Sequence, residues 1–227
     1  MAEALTVQKM FSDIAPRYDL ANSVLSFGIH HLWRRILVRM LPASQDKLVL
    51  DLCTGTGDLL PILKKRFGNV VGADFCLPML QFARSKNEKS TEIMQADALC
   101  LPFKDQSFDI VTVAFGVRNF EDLEKGLREI QRVLKSDGKI LVLEFGQPNS
   151  LFFGSLYSFY SKYLMPLIGG AISGNRKAYE YLPETASHFP CAEKFESILK
   201  SCGFTAARHK TLTGGIAYAY CAEKVVQ

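Results

Sequence analysis

The sequence has no C-x-x-C pair and no Cys/His spacing of the metal-binding kind, although it holds six cysteines: Cys53, Cys76, Cys100, Cys191, Cys202 and Cys221. In a chain of 227 residues this argues against a disulfide scaffold and against a metal, and the thiols read as reduced, buried or idle. Neither sign of charge dominates, since 27 Lys and Arg against 23 Asp and Glu leave a net charge of +4. Without a basic cluster, that excess is too small to imply a nucleic-acid partner. An apolar leader is missing as well: the opening MAEALTVQKMFSD is charged and polar, which predicts a cytoplasmic protein. No internal repeat or low-complexity tract appears, and 48% hydrophobic with 22% charged residues excludes disorder, collagen and coiled coil.

What is present predicts one domain over 1–227, with a helical cap at 1–46 and a core at 47–150. A lid segment follows at 151–190, then a C-terminal helix and edge hairpin at 191–227. Val7, Met10, Phe11 and Ile14 recur at helical spacing behind Thr6 as N-cap, with Pro16 closing the run. Ile29, Leu32, Trp33, Ile36, Leu37, Met40 and Leu41 form a second stripe. From Lys47 the period changes. Short runs at 48–52, 70–73, 91–95, 109–114 and 140–145 alternate with helical stretches at 59–67, 79–85 and 123–134, the last stopped by Ser136-Asp137-Gly138. Most of these runs are apolar on both faces, as buried parallel strands are, so a doubly wound α/β sheet is predicted. A helix at 192–202 ends at Gly203, and runs at 205–210 and 215–222 with only a short link predict an antiparallel hairpin at the sheet edge.

The strongest local signal is Asp51-Leu52-Cys53-Thr54-Gly55-Thr56-Gly57-Asp58, between the first strand and the first sheet helix. Gly55 and Gly57 allow a sharp turn and close approach of a ligand to the backbone. Asp74 ends the second strand, where a carboxylate can accept from a ribose diol. A dinucleotide and S-adenosylmethionine both suit that geometry. The dinucleotide fingerprint needs a third glycine where Leu60 stands, and Asp58 would face a pyrophosphate with like charge. The cationic amine and sulfonium of S-adenosylmethionine suit an acidic surround. Asp97, closing the third strand, can accept from the adenine amino group while Ala98 packs on its face.

At this point the chain resembles a class I S-adenosylmethionine-dependent methyltransferase, in particular the ubiquinone/menaquinone biosynthesis C-methyltransferases of the UbiE/MenG type. The segments that carry the resemblance are 11–19 with Arg17-Tyr18-Asp19, 25–35, Leu101-Pro102-Phe103, 114–119 with Arg118-Asn119, Leu143-Glu144-Phe145 and 212–215. It spans nearly the whole chain. It implies a Rossmann-like seven-stranded sheet in the order 3-2-1-4-5-7-6, with an N-terminal helical cap and an inserted aromatic lid. Thr56, Asp74, Asp97 and Ala98 match the family's cofactor contacts. Ala114 stands where the family often has a serine, and the stretch after Leu182, expected as a loop over 183–190, keeps only part of the family's pattern.

The implied reaction transfers a methyl group from S-adenosylmethionine to a ring carbon of a polyprenylated quinol, demethylmenaquinol or the ubiquinol precursor. Arg118 would favour the phenolate, Asn119 would fix the hydroxyl or a water, and Tyr18 would orient the ring or relay a proton. A structural reading of Asn119 is N-cap of the helix at 121–134. The base is unassigned: His30, His31 and His188 are candidates, each more simply structural. The segment 151–172, with Phe152, Phe153, Tyr157, Phe159, Tyr160 and Tyr163, suits a prenyl tail and a peripheral contact with the inner face of the membrane. Lys162, Ser155, Ser158, Ser161 and the Pro166 to Gly170 break argue against a membrane span. A different phenolic or lipid acceptor and a non-catalytic cofactor-binding subunit are the alternatives. The choice of ring and the presence of a homodimer stay open.

Overall fold

Alternation along each strand decides which residues meet which helices. On β1 (Lys47–Leu52), Val49 joins one cluster while Leu50 and Leu52 join the other. The same split runs through β4 (Phe108–Ala114) and β5 (Leu134–Phe145): Ile110, Leu141 and Leu143 face one side, and Val111, Val113, Ile140 and Val142 the other. The first side is covered by α3 (Ile29–Val38) and α4 (Leu60–Phe67), through Trp33, Leu37, Leu63 and Phe67. The second is covered by α6 (Leu123–Val133) and α10 (Glu193–Ser201), through Leu127, Ile130, Phe195 and Leu199. Both faces are dry, which explains why the strands read as continuous apolar runs.

The computed structural model describes residues 4–148 and 150–225. With β2 (Gly68–Asp74), β3 (Glu92–Gln95), β6 (Phe204–Leu212) and β7 (Ala217–Lys224) they form a seven-stranded sheet in the order β3-β2-β1-β4-β5-β7-β6. The first five strands run parallel, and β7 is antiparallel to both β5 and β6. This is the expected doubly wound, Rossmann-like sheet. The carboxyl ends of β1 to β5 therefore share one edge, where such folds bind ligands.

A third cluster lies beyond that edge. The cap contributes α1 (Ala4–Ile14) and α2 (Tyr18–Leu25), and the lid, which begins with α7 (Leu151–Phe159), contributes α8 (Met165–Ser173) and α9 (Arg176–His188). Ile14, Ala21, Leu25, Met165 and Tyr179 pack together with Met79 of α5 (Leu77–Lys86). A turn of π-helix at Tyr160–Leu164 joins α7 to α8, and the Tyr160 hydroxyl donates to the Leu25 carbonyl at 2.6 Å. The side chains of Phe152 and Phe153 lie outside the described residues. Among those described, no helix is long and apolar enough to cross a membrane.

Four local expectations are corrected. Thr6 lies inside α1, not at its N-cap. Helix α6 stops at Val133 and β5 starts at once, so Ser136 to Gly138 lie within the strand, beside a register shift against β4. The stretch after Leu182 is helical through His188 despite Pro183, because buried Tyr179 and Ala186 anchor the helix on either side of it. The N-cap of α6 is Asp122, whose carboxylate accepts from Lys125 N at 2.9 Å.

Gly126, inside α6, gives room for the Phe120 ring, and Phe120 closes the 115–120 turn at the ligand edge. A Cβ there would lie 2.7 Å from Phe120 Cε2. Helix propensity alone credits Gly126→Ala with about 1 kcal/mol. Crowding of a packed ring costs about 1–3 kcal/mol and should win. Chemical denaturation is expected to show a net loss; a gain would contradict the contact.

Candidate active site

The glycine loop leaves β1 at Cys53, whose φ is +58°, and Gly55 and Gly57 follow at +56° and +80°. The two glycines serve different ends. A Cβ on Gly55 would meet nothing within 4 Å, so its backbone borders open space. A Cβ on Gly57 would reach 2.5 Å from Asn87 Nδ2 and 3.2 Å from Leu60. Gly57 thus permits the close helix packing for which a third glycine is otherwise required.

Asp74 holds this loop in place. Its Oδ2 accepts from Gly55 N and its Oδ1 from Cys76 N, both at 2.8 Å. Burial pushes its carboxyl up, and those amide bonds oppose the shift. Asp51 is wholly buried behind the loop, where it accepts the hydroxyls of Thr54 and Thr112 at 2.6 Å each. Burial raises its carboxyl to about 6. Thr56 donates to Asp19 Oδ1 at 2.5 Å and does not reach the cavity. Asp58 is paired with Arg34 of α3 at 3.2 Å and with Lys86 of α5 at 2.5 Å. Its charge is therefore spent on cations of the fold, which corrects the expectation that it confronts a ligand. Lys86 also binds Asp19 at 2.6 Å, so cap and loop share one polar network.

Two cavities meet above the sheet edge. The first, about 140 Å³, is lined by Gly55, Asp74, Asp97, Ala98, Ala114 and Asn119, and α1 covers it with Gln8 and Phe11. Five of the eight expected cofactor residues thus border it; Asp51, Thr56 and Gly57 stand behind its wall. The second, about 590 Å³, is lined by Tyr18, Trp33, Phe115, Arg118, Tyr157 and Tyr160, with polar Asn22, Ser26 and His30 along the cap. Tyr18 and Phe115 border both cavities and form their common wall. Phe115 takes φ +61°, a strained conformation for a non-glycine residue at the point where the cavities touch.

Arg118 and Asn119 are adjacent in sequence yet serve different spaces. Arg118 Nη1 donates to Glu144 Oε1 and to the Phe115 carbonyl, each at 2.6 Å, and the guanidinium lies 5.3 Å from the Phe145 ring centroid. Its Nε is buried with no hydrogen-bond partner. Asn119 borders the first cavity, and its Oδ1 accepts from the Tyr181 hydroxyl at 3.2 Å, so it does not cap α6. Sequence reasoning left Glu144 without a role. The signal was a lone carboxylate inside the apolar run at 140–145. Tyr18 is half-buried, and the desolvation of its hydroxyl raises the phenol and keeps it protonated. His30, His31 and Asp58 present ligand-type atoms within 4.8 Å of one another, but the two cations already on Asp58 oppose a metal ion there.

Asp19 is the link between cap and loop, through Thr56 and Lys86. Asp19→Ala should speed amide exchange across 54–58 roughly tenfold, the loss of about 1.4 kcal/mol of local protection. Unchanged exchange would mean that the network does not hold the loop.

The comparisons with known proteins agree with this geometry. The chain is 47% identical over 220 residues, covering 94% of each chain, to the ubiquinone/menaquinone biosynthesis C-methyltransferase UbiE of Bdellovibrio bacteriovorus. It is 49% identical over 213 residues to the demethylmenaquinone methyltransferase of Thermus thermophilus, covering 92% of this chain and 96% of that one. A crystal structure of a SAM-dependent methyltransferase from Thermotoga maritima matches with a TM-score of 0.69 over 95% of this chain and 99% of that one; at 20% identity it shows the fold alone. With the model of the ubiE/COQ5 methyltransferase family matching residues 1–224, the chain belongs to that family.

Proposed function

We propose that this protein transfers the methyl group of S-adenosylmethionine to a ring carbon of a polyprenylated quinol, demethylmenaquinol or the corresponding ubiquinol precursor, in respiratory quinone biosynthesis. One observation carries the reading: an acid-edged cavity at the glycine loop and a larger apolar cavity share the wall of Tyr18 and Phe115. Two substrates of unlike polarity can thus be brought together with water excluded. Asp74 receives the ribose, Asp97 and Ala98 the adenine, and the open backbone at Gly55 the body of the cofactor. Asp51 and Thr56 support them from behind by fixing Thr54 and the cap.

The residues around the second cavity suit a phenolate. A quinol carbon becomes nucleophilic when a ring hydroxyl loses its proton, and the oxidised quinone is an electrophile. Nη1 of Arg118 is taken by Glu144 and Phe115 and Nε is buried, which leaves Nη2 to donate to an anionic oxygen in the cavity that Arg118 borders. Asn119 holds the cofactor side of the same turn. Tyr18, a protonated phenol on the common wall, orients the ring.

The outer surface suits delivery from a membrane. Leu156, Phe159, Tyr163 and Leu167 form an exposed stripe at i, i+3, i+7, i+11 along the lid, while Tyr157, Tyr160 and Met165 face the cavity. Phe27 borders the same cavity and is 88% exposed, so it marks the mouth. Such a stripe beside Lys162 fits a lipid surface, from which the prenyl tail enters.

Two measurements test the reading. With labelled S-adenosylmethionine, product is expected from demethylmenaquinol or the ubiquinol precursor when a reductant is present and none from the quinones; tight cofactor binding with no product from either quinol would sink it. Phe27→Asp with Leu156→Asp should lower co-sedimentation with anionic vesicles at least fivefold and leave cofactor affinity unchanged. Equal binding to vesicles would remove the membrane from the proposal.

A further inference from the structure

We propose that His30 accepts the hydroxyl proton of the bound quinol on Nε2, a further catalytic role that rests on the quinol reading above. Among the described residues lining the second cavity there is no carboxylate. Its ionisable groups are three phenols (Tyr18, Tyr157, Tyr160), two guanidiniums (Arg34, Arg118) and the His30 imidazole. A guanidinium has no lone pair to offer, and burial holds all three phenols protonated, Tyr157 pushed up to about 12. The imidazole remains.

Its tautomer follows from its neighbours. Tyr18, Asn22, Ser26 and His30 recur every four residues, and all four border the cavity as a polar column in an apolar lining. Asn22 stands beside the Tyr18 phenol and opposes part of the rise that burial gives it. Ser26 Oγ lies 2.7 Å from the Asn22 carbonyl oxygen and 2.5 Å from His30 Nδ1. A carbonyl only accepts, so the single hydroxyl proton of Ser26 goes to Asn22. Nδ1–H of His30 then donates to Ser26 Oγ, and Nε2 keeps its lone pair. Burial first, and then the charges of Arg34 and His31, lower the imidazole to about 4 against the opposing pull of Asp58. Arg118, Tyr157 and Tyr160 face the same space from the sheet edge and the lid. His30 is therefore neutral at physiological pH and a weaker base than a free imidazole, so the transfer relies on the Arg118 guanidinium stabilising the phenolate it leaves.

The step balances as follows. The quinol O–H bond breaks, and its proton passes to Nε2 directly or across one water in the cavity. The electron pair moves through the ring to the carbon, which bonds to the sulfonium methyl as the carbon–sulfur bond breaks and its pair returns to sulfur. The ring carbon then gives up its hydrogen as a proton to water, and the imidazolium returns its own to the oxygen. One proton is released per methyl transferred.

His30→Gln keeps a hydrogen-bonding group beside Ser26 and removes the base. At pH 7 it should lower kcat about 100-fold, the low end for general-base catalysis. Cofactor Kd and quinol KM should stay within about threefold of the wild type. The deficit should shrink as pH rises and the quinol ionises unaided, and added imidazole should restore part of the rate. Ser26→Ala offers a milder variant, expected to lower kcat about tenfold by freeing the tautomer. Independently of turnover, nitrogen-15 NMR should show His30 protonated on Nδ1 and titrating well below pH 6. A kcat loss under fivefold, a loss equal at every pH without imidazole rescue, or an Nε2–H tautomer would each overturn the role. If the wild type methylates neither quinol, the functional reading itself fails, and the NMR result shows separately whether the imidazole is poised as described.

Discussion

The buried pair of Arg118 and Glu144 is the constraint on which the site depends. Their side chains are 4% and 0% exposed and meet at 2.6 Å. Neither could lie so deep alone, since removing one partner of a buried pair costs about 3–5 kcal/mol. Both Glu144 oxygens face donors: Oε1 accepts from Arg118 Nη1 and Phe145 N, and Oε2 from Arg118 N at 3.3 Å. This environment favours the ionised carboxylate although burial pushes it up. The pair ties the turn after β4 to the end of β5 and fixes the guanidinium by one nitrogen, so a positive charge can border an apolar cavity without first being solvated. The lone-carboxylate position in the strand, the adjacent Phe145 ring under the guanidinium and the strained Phe115 all serve that placement.

The cap and lid complete what the sheet edge begins. The sheet alone supplies the glycine loop and the acids at the ends of β2 and β3. The cap adds Tyr18 to the common wall, Gln8 and Phe11 over the first cavity, and the polar column along the second. It is tied down by the Asp19, Thr56, Lys86, Asp58 and Arg34 network rather than by deep burial of an apolar face alone. The half-exposed Lys86 pairs contribute little each, and the more buried Arg34–Asp58 pair, at 10% and 19% side-chain exposure, anchors the network.

Much of this was legible in the sequence because buried parallel strands announce themselves. The apolar runs, the glycine loop and the acids at Asp74 and Asp97 gave the sheet and its ligand edge, since strand period and turn chemistry are local properties. What was hidden depends on partners distant in the chain. Asp58 looked like a ligand-facing charge until Arg34 and Lys86 were seen to claim it. The hydroxyl of Thr56 is held by Asp19, a partner 37 residues away that the glycine-loop motif does not announce. Asn119 suited an N-cap by position, but Asp122 is three residues before an available amide and takes that role. Pro183 suggested a loop because the packing of Tyr179 and Ala186 cannot be read from propensity.

In the proposed reaction, donor and acceptor occupy two cavities separated by Tyr18 and Phe115, with Arg118 on the acceptor side. A crystal structure of the protein with S-adenosylhomocysteine and a short-chain naphthoquinol tests it most directly. The ribose is expected at Asp74, the adenine at Asp97 and Ala98, and a ring oxygen within hydrogen-bond distance of Arg118 Nη2. A quinol ring bound away from the common wall, or a cofactor whose sulfur points away from Tyr18 and Phe115, would contradict it.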